Sequence, residues 1–147
     1  MKEMYISNLK DLSSGSSVIL LGWVKGKRRH GNVAFLDVVD STGSIQVVVH
    51  KPSIGEAAFD VFKKANYEAA VEITGTLENG SGKTEINAKT IKVISDAAKQ
   101  FSPRPRSDFD IFDPSLTDHL LRNRHAYIRN PKIMAILRFR HILIVNP

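Results

Sequence analysis

Apolar and polar residues alternate along most of the first two thirds of the chain, at the two-residue period of half-buried strands. Ser17 to Lys25 is rich in Val, Ile and Leu and predicts a strand. Lys27, Arg28, Arg29, His30 and Gly31 read as a basic connection to the next strand. From Val33 to Val39, Ala34, Leu36 and Val38 share one face, while Val33, Phe35, Asp37 and Val39 share the other. Asp40-Ser41-Thr42-Gly43 supplies turn chemistry. In the strand that follows, Ile45, Val47 and Val49 point to a core, and Ser44, Gln46, Val48 and His50 point outward. Phe35 and Gln46 therefore fall on the solvent side of adjacent strands, close enough to serve one ligand. A phenyl ring placed among polar residues in this way offers a flat surface on which a nucleic acid base can stack.

A short helix is predicted next, with Ser53 and Glu56 at the spacing of a capping box and an apolar stripe through Ile54, Ala58, Val61 or Phe62, and Ala65. Glu68 to Leu77 predicts a fourth strand, Asn79-Gly80-Ser81-Gly82 a hairpin turn, and Thr84 to Ile94 a fifth strand. In the fifth strand Glu85, Asn87 and Lys89 oppose Ile86 and Ala88. The parity switches near Thr90, as a bulge or bend would make it. Three strands, a helix and two strands is the order of an OB-fold, a mainly β, five-stranded Greek-key barrel with one inter-strand helix, which often binds oligonucleotides on its second and third strands. Beyond it, Ser102-Pro103-Arg104-Pro105-Arg106 reads as a linker. A helix is predicted near Thr117 to Arg122, and Asn130-Pro131 is a helix start, with Ile133, Ile136, Leu137 and Ile144 along one side. The expected organisation is a barrel over 1–97, a linker over 98–116 and a C-terminal helical segment over 117–147.

Charge sharpens this picture. Twenty-one Lys and Arg against 15 Asp and Glu give a net charge of +6, which favours a polyanionic partner. The absence of cysteine excludes disulfides, thiolate nucleophiles and cysteine-held zinc. None of the five histidines has metal-ligand spacing, so no metal site is expected. The N-terminus MKEMYISNLKDL has no apolar stretch of the secretory kind, and no run approaches the roughly 20 apolar residues of a membrane span. A cytoplasmic location with no membrane partner is the expectation.

The strings GWV at Gly22 to Val24, FLDVVD at Phe35 to Asp40, GSIQVVV at Gly43 to Val49, TEINAKTIKV at Thr84 to Val93 and RHAYIRNPKIMAILRFR at Arg124 to Arg140 occur in this order. Together they resemble the N-terminal part of class II aminoacyl-tRNA synthetases of the aspartyl, asparaginyl and lysyl subgroup, the last string being closer to the asparaginyl branch. The resemblance implies an anticodon-binding OB-fold followed by a linker and the start of a catalytic domain. It implies that Phe35 stacks on an anticodon base, that Gln46 hydrogen-bonds the central uridine, and that Glu85 lies beside the anticodon. Lys25, Lys27, Arg28 and Arg29 are then candidates for holding phosphates. The sequence departs from the family at Val39, where an arginine is common, and at Ala126, where a leucine is usual. It also stops within the first class II signature. The reading therefore expects a truncated synthetase whose present residues hold no catalytic group and no cofactor, asparagine, ATP and magnesium acting in the missing domain. A homodimer is expected only if the C-terminal helix and that domain are both present. Two rival readings stay open: a free-standing barrel for single-stranded RNA or DNA, and a protein-interaction subunit. Bland roles stay open too, with Phe35 packed beneath a loop, Glu85 and Gln46 as ordinary outward residues, and Trp23 as core or rim packing.

Overall fold

The computed structural model describes residues 3–80, 83–97, 110 and 112–145. The chain divides into two units, Met1–Gln100 and Phe101–Pro147. In the first, β2 (Ser17–His30), β3 (Val33–Val39), β4 (Ser44–His50), β5 (Ala70–Gly80) and β6 (Lys83–Ser95) form one sheet. The order is β2-β3-β4-β6-β5, and β5 pairs back to β2, so the sheet closes into the five-stranded OB barrel. Only the β4–β6 pairing within it is parallel. A two-residue strand, β1 (Glu3–Met4), adds in parallel to β2, and a 3-10 turn over Ile6–Asp11 packs Leu9 into the core. Closure leaves the strands few free edges. The inward residues Val18, Leu20, Leu36, Val47, Ile73 and Ile86 are fully buried, which is the principal stabilisation of so small a barrel.

The N-terminal turn is tied down by one carboxylate. Asp40 Oδ2 accepts from the Ile6 amide at 2.8 Å, and Oδ1 accepts from the Thr42 amide and hydroxyl and from the Gly43 amide. Burial pushes this carboxyl up, but the donation from Ile6, Thr42 and Gly43 outweighs it and holds the group below its ordinary value of 3.8.

Several expectations change. The predicted basic connection is strand: β2 runs on to His30, and only Gly31 and Asn32 turn into β3, with Gly31 at a φ of +57°. Every residue of β3 needs a ladder partner, and Trp23, Val24 and Gly26 to His30 supply them. The single predicted helix is two, α1 (Lys51–Ile54) and α2 (Glu56–Lys64). Pro52 in the first turn starts helix directly off β4, and Gly55 at a φ of +83° interrupts it. Ser53 thus lies inside α1, and Gly55 rather than a capping-box serine stands at the N-cap of α2. Phe59 and Phe62 are the aromatic anchors of α2, with Ala65 just beyond its end, while the side chain of Ala58 lies outside the described residues. Val48 is buried although its parity is outward. The parity switch in the fifth strand is a bulge. Thr74 pairs with Thr90 and Gly75 with Ala88, leaving Lys89 as the extra residue. Residues 81–82 of the predicted hairpin turn, and most of the predicted linker, lie outside the described residues.

In the second unit Asp113 Oδ1 accepts from both the Ser115 hydroxyl and its amide, which lowers the Asp113 carboxyl and opens a 3-10 turn. It leads to α3 (Thr117–Arg122), α4 (Arg124–Tyr127) and α5 (Pro131–Val145). Asn130 is buried and accepts from the Lys132 amide at 2.9 Å, the N-cap its sequence predicts. The predicted one-sided stripe on α5 is not seen. Ile133 and Leu137 are half-buried, but Ile136, Phe139, Ile142, Leu143 and Ile144 are all exposed, because apolar residues surround this helix. Among the described residues no helix is long and apolar enough to cross a membrane.

Candidate nucleic-acid interface

The outward face of β2, β3, β4 and β6 is ordered in rows by the sheet register. One row is Arg28, Phe35, Val48 and Asn87; the next is Gly26, Asp37, Gln46 and Glu85. Phe35 and Gln46 are thus diagonal neighbours on adjacent strands, a spacing of roughly 7–8 Å. Val48 lies between Phe35 and Asn87, which explains its burial on the outer side.

Arg28 connects the two rows. Its guanidinium lies 5.1 Å from the centre of the Phe35 ring, and its Nη2 donates to Gln46 Oε1 at 2.6 Å. Gln46 Nε2 in turn donates to Glu85 Oε2 at 3.3 Å. The four sequence candidates Phe35, Arg28, Gln46 and Glu85 therefore form one continuous chain of contacts across four strands. Phe35, Gln46 and Glu85 are half-buried and Arg28 is exposed. Lys25, also exposed, lines an open depression beside them with Asp37, Ser44, Ile45 and Gln46.

Lys27 and Arg29 do not join this group. Lys25 is the extra residue of a bulge: Val24 pairs with Val38 and Gly26 with Asp37. That insertion reverses the parity of the rest of β2, so that Arg28 faces outward beside Phe35 while Lys27 and Arg29 sit over inward-facing neighbours. Lys27 Nζ donates to the carbonyls of Lys63, at 3.0 Å, and Ala65, at 2.6 Å, capping the end of α2, and lies 6.0 Å from the Phe62 ring. Arg29 donates to the Gly31 carbonyl and lies 5.3 Å from the Phe59 ring. Both cations are thus engaged around α2 rather than on the face that carries Phe35.

Asp37 and Asn87, which sequence parity placed outward without giving them a role, also belong to this face. Trp23 is 49% exposed between Val39 and Ala70, not packed in the core, because its parity before the bulge is outward. Among the described residues no group of three His, Asp or Glu is placed to hold a metal ion.

A closed five-stranded barrel with this strand order, carrying an aromatic, an arginine and a locked amide on the face of its second and third barrel strands, defines an OB barrel of the nucleic-acid-binding class. Comparison with known proteins agrees. The profile of the tRNA anticodon family, described as an OB-fold nucleic acid binding domain, matches residues 18–94, and the chain belongs to that family. It is similar to the asparagine–tRNA ligase of Pyrococcus abyssi, with 35% identity over 98% of this chain and 32% of that protein. It is also similar to the aspartate–tRNA(Asp/Asn) ligase of Methanocaldococcus jannaschii, with 29% identity over 92% of this chain and 31% of that one. The crystal structure of asparaginyl-tRNA synthetase from Pyrococcus horikoshii, complexed with asparaginyl-adenylate, superposes with a TM-score of 0.77. That match has 32% identity and covers 99% of this chain and 33% of that chain. The 147 residues thus span about a third of the length of the relatives they match.

Proposed function

We propose that this barrel binds the anticodon loop of a tRNA and reads its central base. Phe35 is the stacking platform, Gln46 reads the hydrogen-bonding edge of the base, and Lys25 and Arg28 hold the neighbouring phosphates. The observation that carries this reading is the contact chain from Phe35 through Arg28 and Gln46 to Glu85 on one face. Stacking contributes roughly 1–3 kcal/mol per base and tolerates any base, whereas the amide distinguishes edges that only unpaired RNA exposes. Lys27 and Arg29 we assign to holding α2 against the barrel.

In the same proposal the barrel over 1–97 and the segment over 117–147, joined by 98–116, are parts of an asparagine–tRNA ligase. The chemistry of asparagine attachment belongs to the two thirds of such a ligase that these residues do not span, and we propose no catalytic residue among them. A homodimer built through the apolar surface of α5, and a cytoplasmic location, belong to this reading.

The test is fluorescence anisotropy with a labelled anticodon stem-loop carrying GUU, beside one carrying GCU, at two salt concentrations. Preference for GUU by about tenfold, or 1.4 kcal/mol, supports the reading. Equal binding of both loops that high salt abolishes makes the barrel a generic electrostatic binder of single strands. No binding of either loop overturns the anticodon reading for this chain.

A further inference from the structure

We infer that Glu85 is a positioning residue. Together with Arg28 it fixes which way round the Gln46 amide points, and this lock is what separates uridine from cytidine at the reading position. The inference rests on the anticodon-reading proposal and adds to it the physical source of the specificity.

A free glutamine amide is a poor judge of pyrimidines. Its oxygen accepts and its nitrogen donates, and a half-turn about the last side-chain torsion exchanges the two at low cost. Uracil presents a donor at N3 next to an acceptor at O4; cytosine presents an acceptor at N3 next to a donor at N4. A base held in one orientation on the Phe35 ring therefore offers opposite patterns in the two cases, and an amide free to turn would satisfy either.

Gln46 is not free to turn. On the β2 side Arg28, which only donates, holds Oε1 at 2.6 Å. On the β6 side the Glu85 carboxylate, which only accepts, holds Nε2 at 3.3 Å. Turning the amide over would set its nitrogen against a guanidinium and its oxygen against a carboxylate, so both contacts become repulsive together. Arg28 is itself held by the Phe35 ring, and Glu85 by the parallel pairing of Gln46 with Glu85 in the ladder. The amide has four hydrogen-bonding positions, and these contacts take two. What remains is one lone pair on the oxygen, at the β2 side, and one hydrogen on the nitrogen, at the β6 side. That order meets N3–H and O4 of uracil and opposes both groups of a cytosine in the same pose.

The experiment compares the wild-type chain with Glu85→Leu and Glu85→Gln, binding GUU and GCU stem-loops at one salt concentration. The lock predicts that Glu85→Leu gains affinity for GCU while its affinity for GUU changes less than about threefold, so that a preference of about tenfold falls to about twofold. Glu85→Gln, whose own amide can turn, moves the ratio in the same direction. Removing an acid also lowers repulsion of RNA, but that raises both affinities alike and leaves the ratio unchanged. A preference that survives in Glu85→Leu overturns the lock while leaving the anticodon reading in place. So does a parallel loss for both loops, since it makes Glu85 an RNA contact or a support of the strand.

A second readout needs no RNA. In the 15N–1H spectrum of the free wild-type protein the Gln46 side-chain protons should be well separated, with one shifted downfield by the carboxylate, and Glu85→Leu should bring them together. A wild-type pair already like that of a solvent-exposed glutamine overturns the lock. Failure of the wild type to bind either loop overturns the anticodon reading, and the uridine–cytidine consequence with it.

Discussion

Replacing Phe35 by alanine tests whether the outward ring works by stacking. The ring is half-buried, pairs with Val48 across the ladder and neighbours the Arg28 guanidinium at 5.1 Å. Its removal uncovers Val48 and frees Arg28. Since only part of the ring is out of water, the loss of stability should be about 1–1.5 kcal/mol, below the 1.5–3 kcal/mol of a fully buried side chain. The loss of binding should be larger. A base stacked on the ring contributes roughly 1–3 kcal/mol, so affinity for the GUU stem-loop should fall about 5- to 150-fold. Anisotropy titrations in low and moderate salt would measure the affinity, and urea unfolding the stability. The slope of log affinity against log salt should not change, because no phosphate contact is lost. Phe35→Leu separates stacking from mere apolar contact: it should keep most of the stability but little of the affinity, whereas Phe35→Tyr should keep both. If Phe35→Ala binds as the wild type does, or if Phe35→Leu restores full affinity, the ring is packing and not a platform.

Other positions give contrasting outcomes. Arg28→Ala should reduce the salt slope by about one unit and weaken GUU binding, with little effect on urea stability. Lys27→Met should do the reverse. It removes the cap on the Lys63 and Ala65 carbonyls and should cost about 1 kcal/mol in urea unfolding while leaving the salt slope intact; a changed slope would return Lys27 to the phosphate contacts. Asp40→Asn should destabilise the barrel near neutral pH by about 1–2 kcal/mol. Because the folded Asp40 carboxyl is held below its ordinary 3.8, its contribution is full well above that value and is lost as pH falls through the folded value. The gap between wild type and variant in urea midpoint should therefore close in acid, and a gap independent of pH would refute the assignment. Gly75→Ala should cost about 3 kcal/mol, since the new methyl would fall against the Asn87 carbonyl at the β5–β6 bulge, where backbone and not a flexible side chain must give way. A variant as stable as the wild type would show that the bulge can relax.

Much of this protein is written in local pattern. The strand over Val33 to Val39 and its neighbour over Ser44 to His50 are legible because Ala34, Leu36, Val38, Ile45, Val47 and Val49 alternate at the strand period and must share one buried side. That same parity put Phe35 and Gln46 on one outward face, and it exposed the bulge near Thr90 as a break in the alternation. Asn130 and Pro131 announced α5 by capping chemistry that needs no tertiary partner. The sequence also suffices for the family, since ordered strings over the whole barrel are more specific than any one of them. Other features required the fold. Lys27, Arg28 and Arg29 are three adjacent cations with no apolar pattern to orient them. Their separation into two helix-facing residues and one residue on the Phe35 face follows from the bulge at Lys25, and that bulge exists only because β2 must pair with β3 and close the barrel against β5. The direction of the Gln46 amide was beyond sequence for the same reason. It is set by residues 18 positions before it and 39 after it, which only the sheet register brings together. Periodicity fixes which side of a strand a residue occupies, but ladder register fixes which residues meet there, and register is a property of the closed sheet.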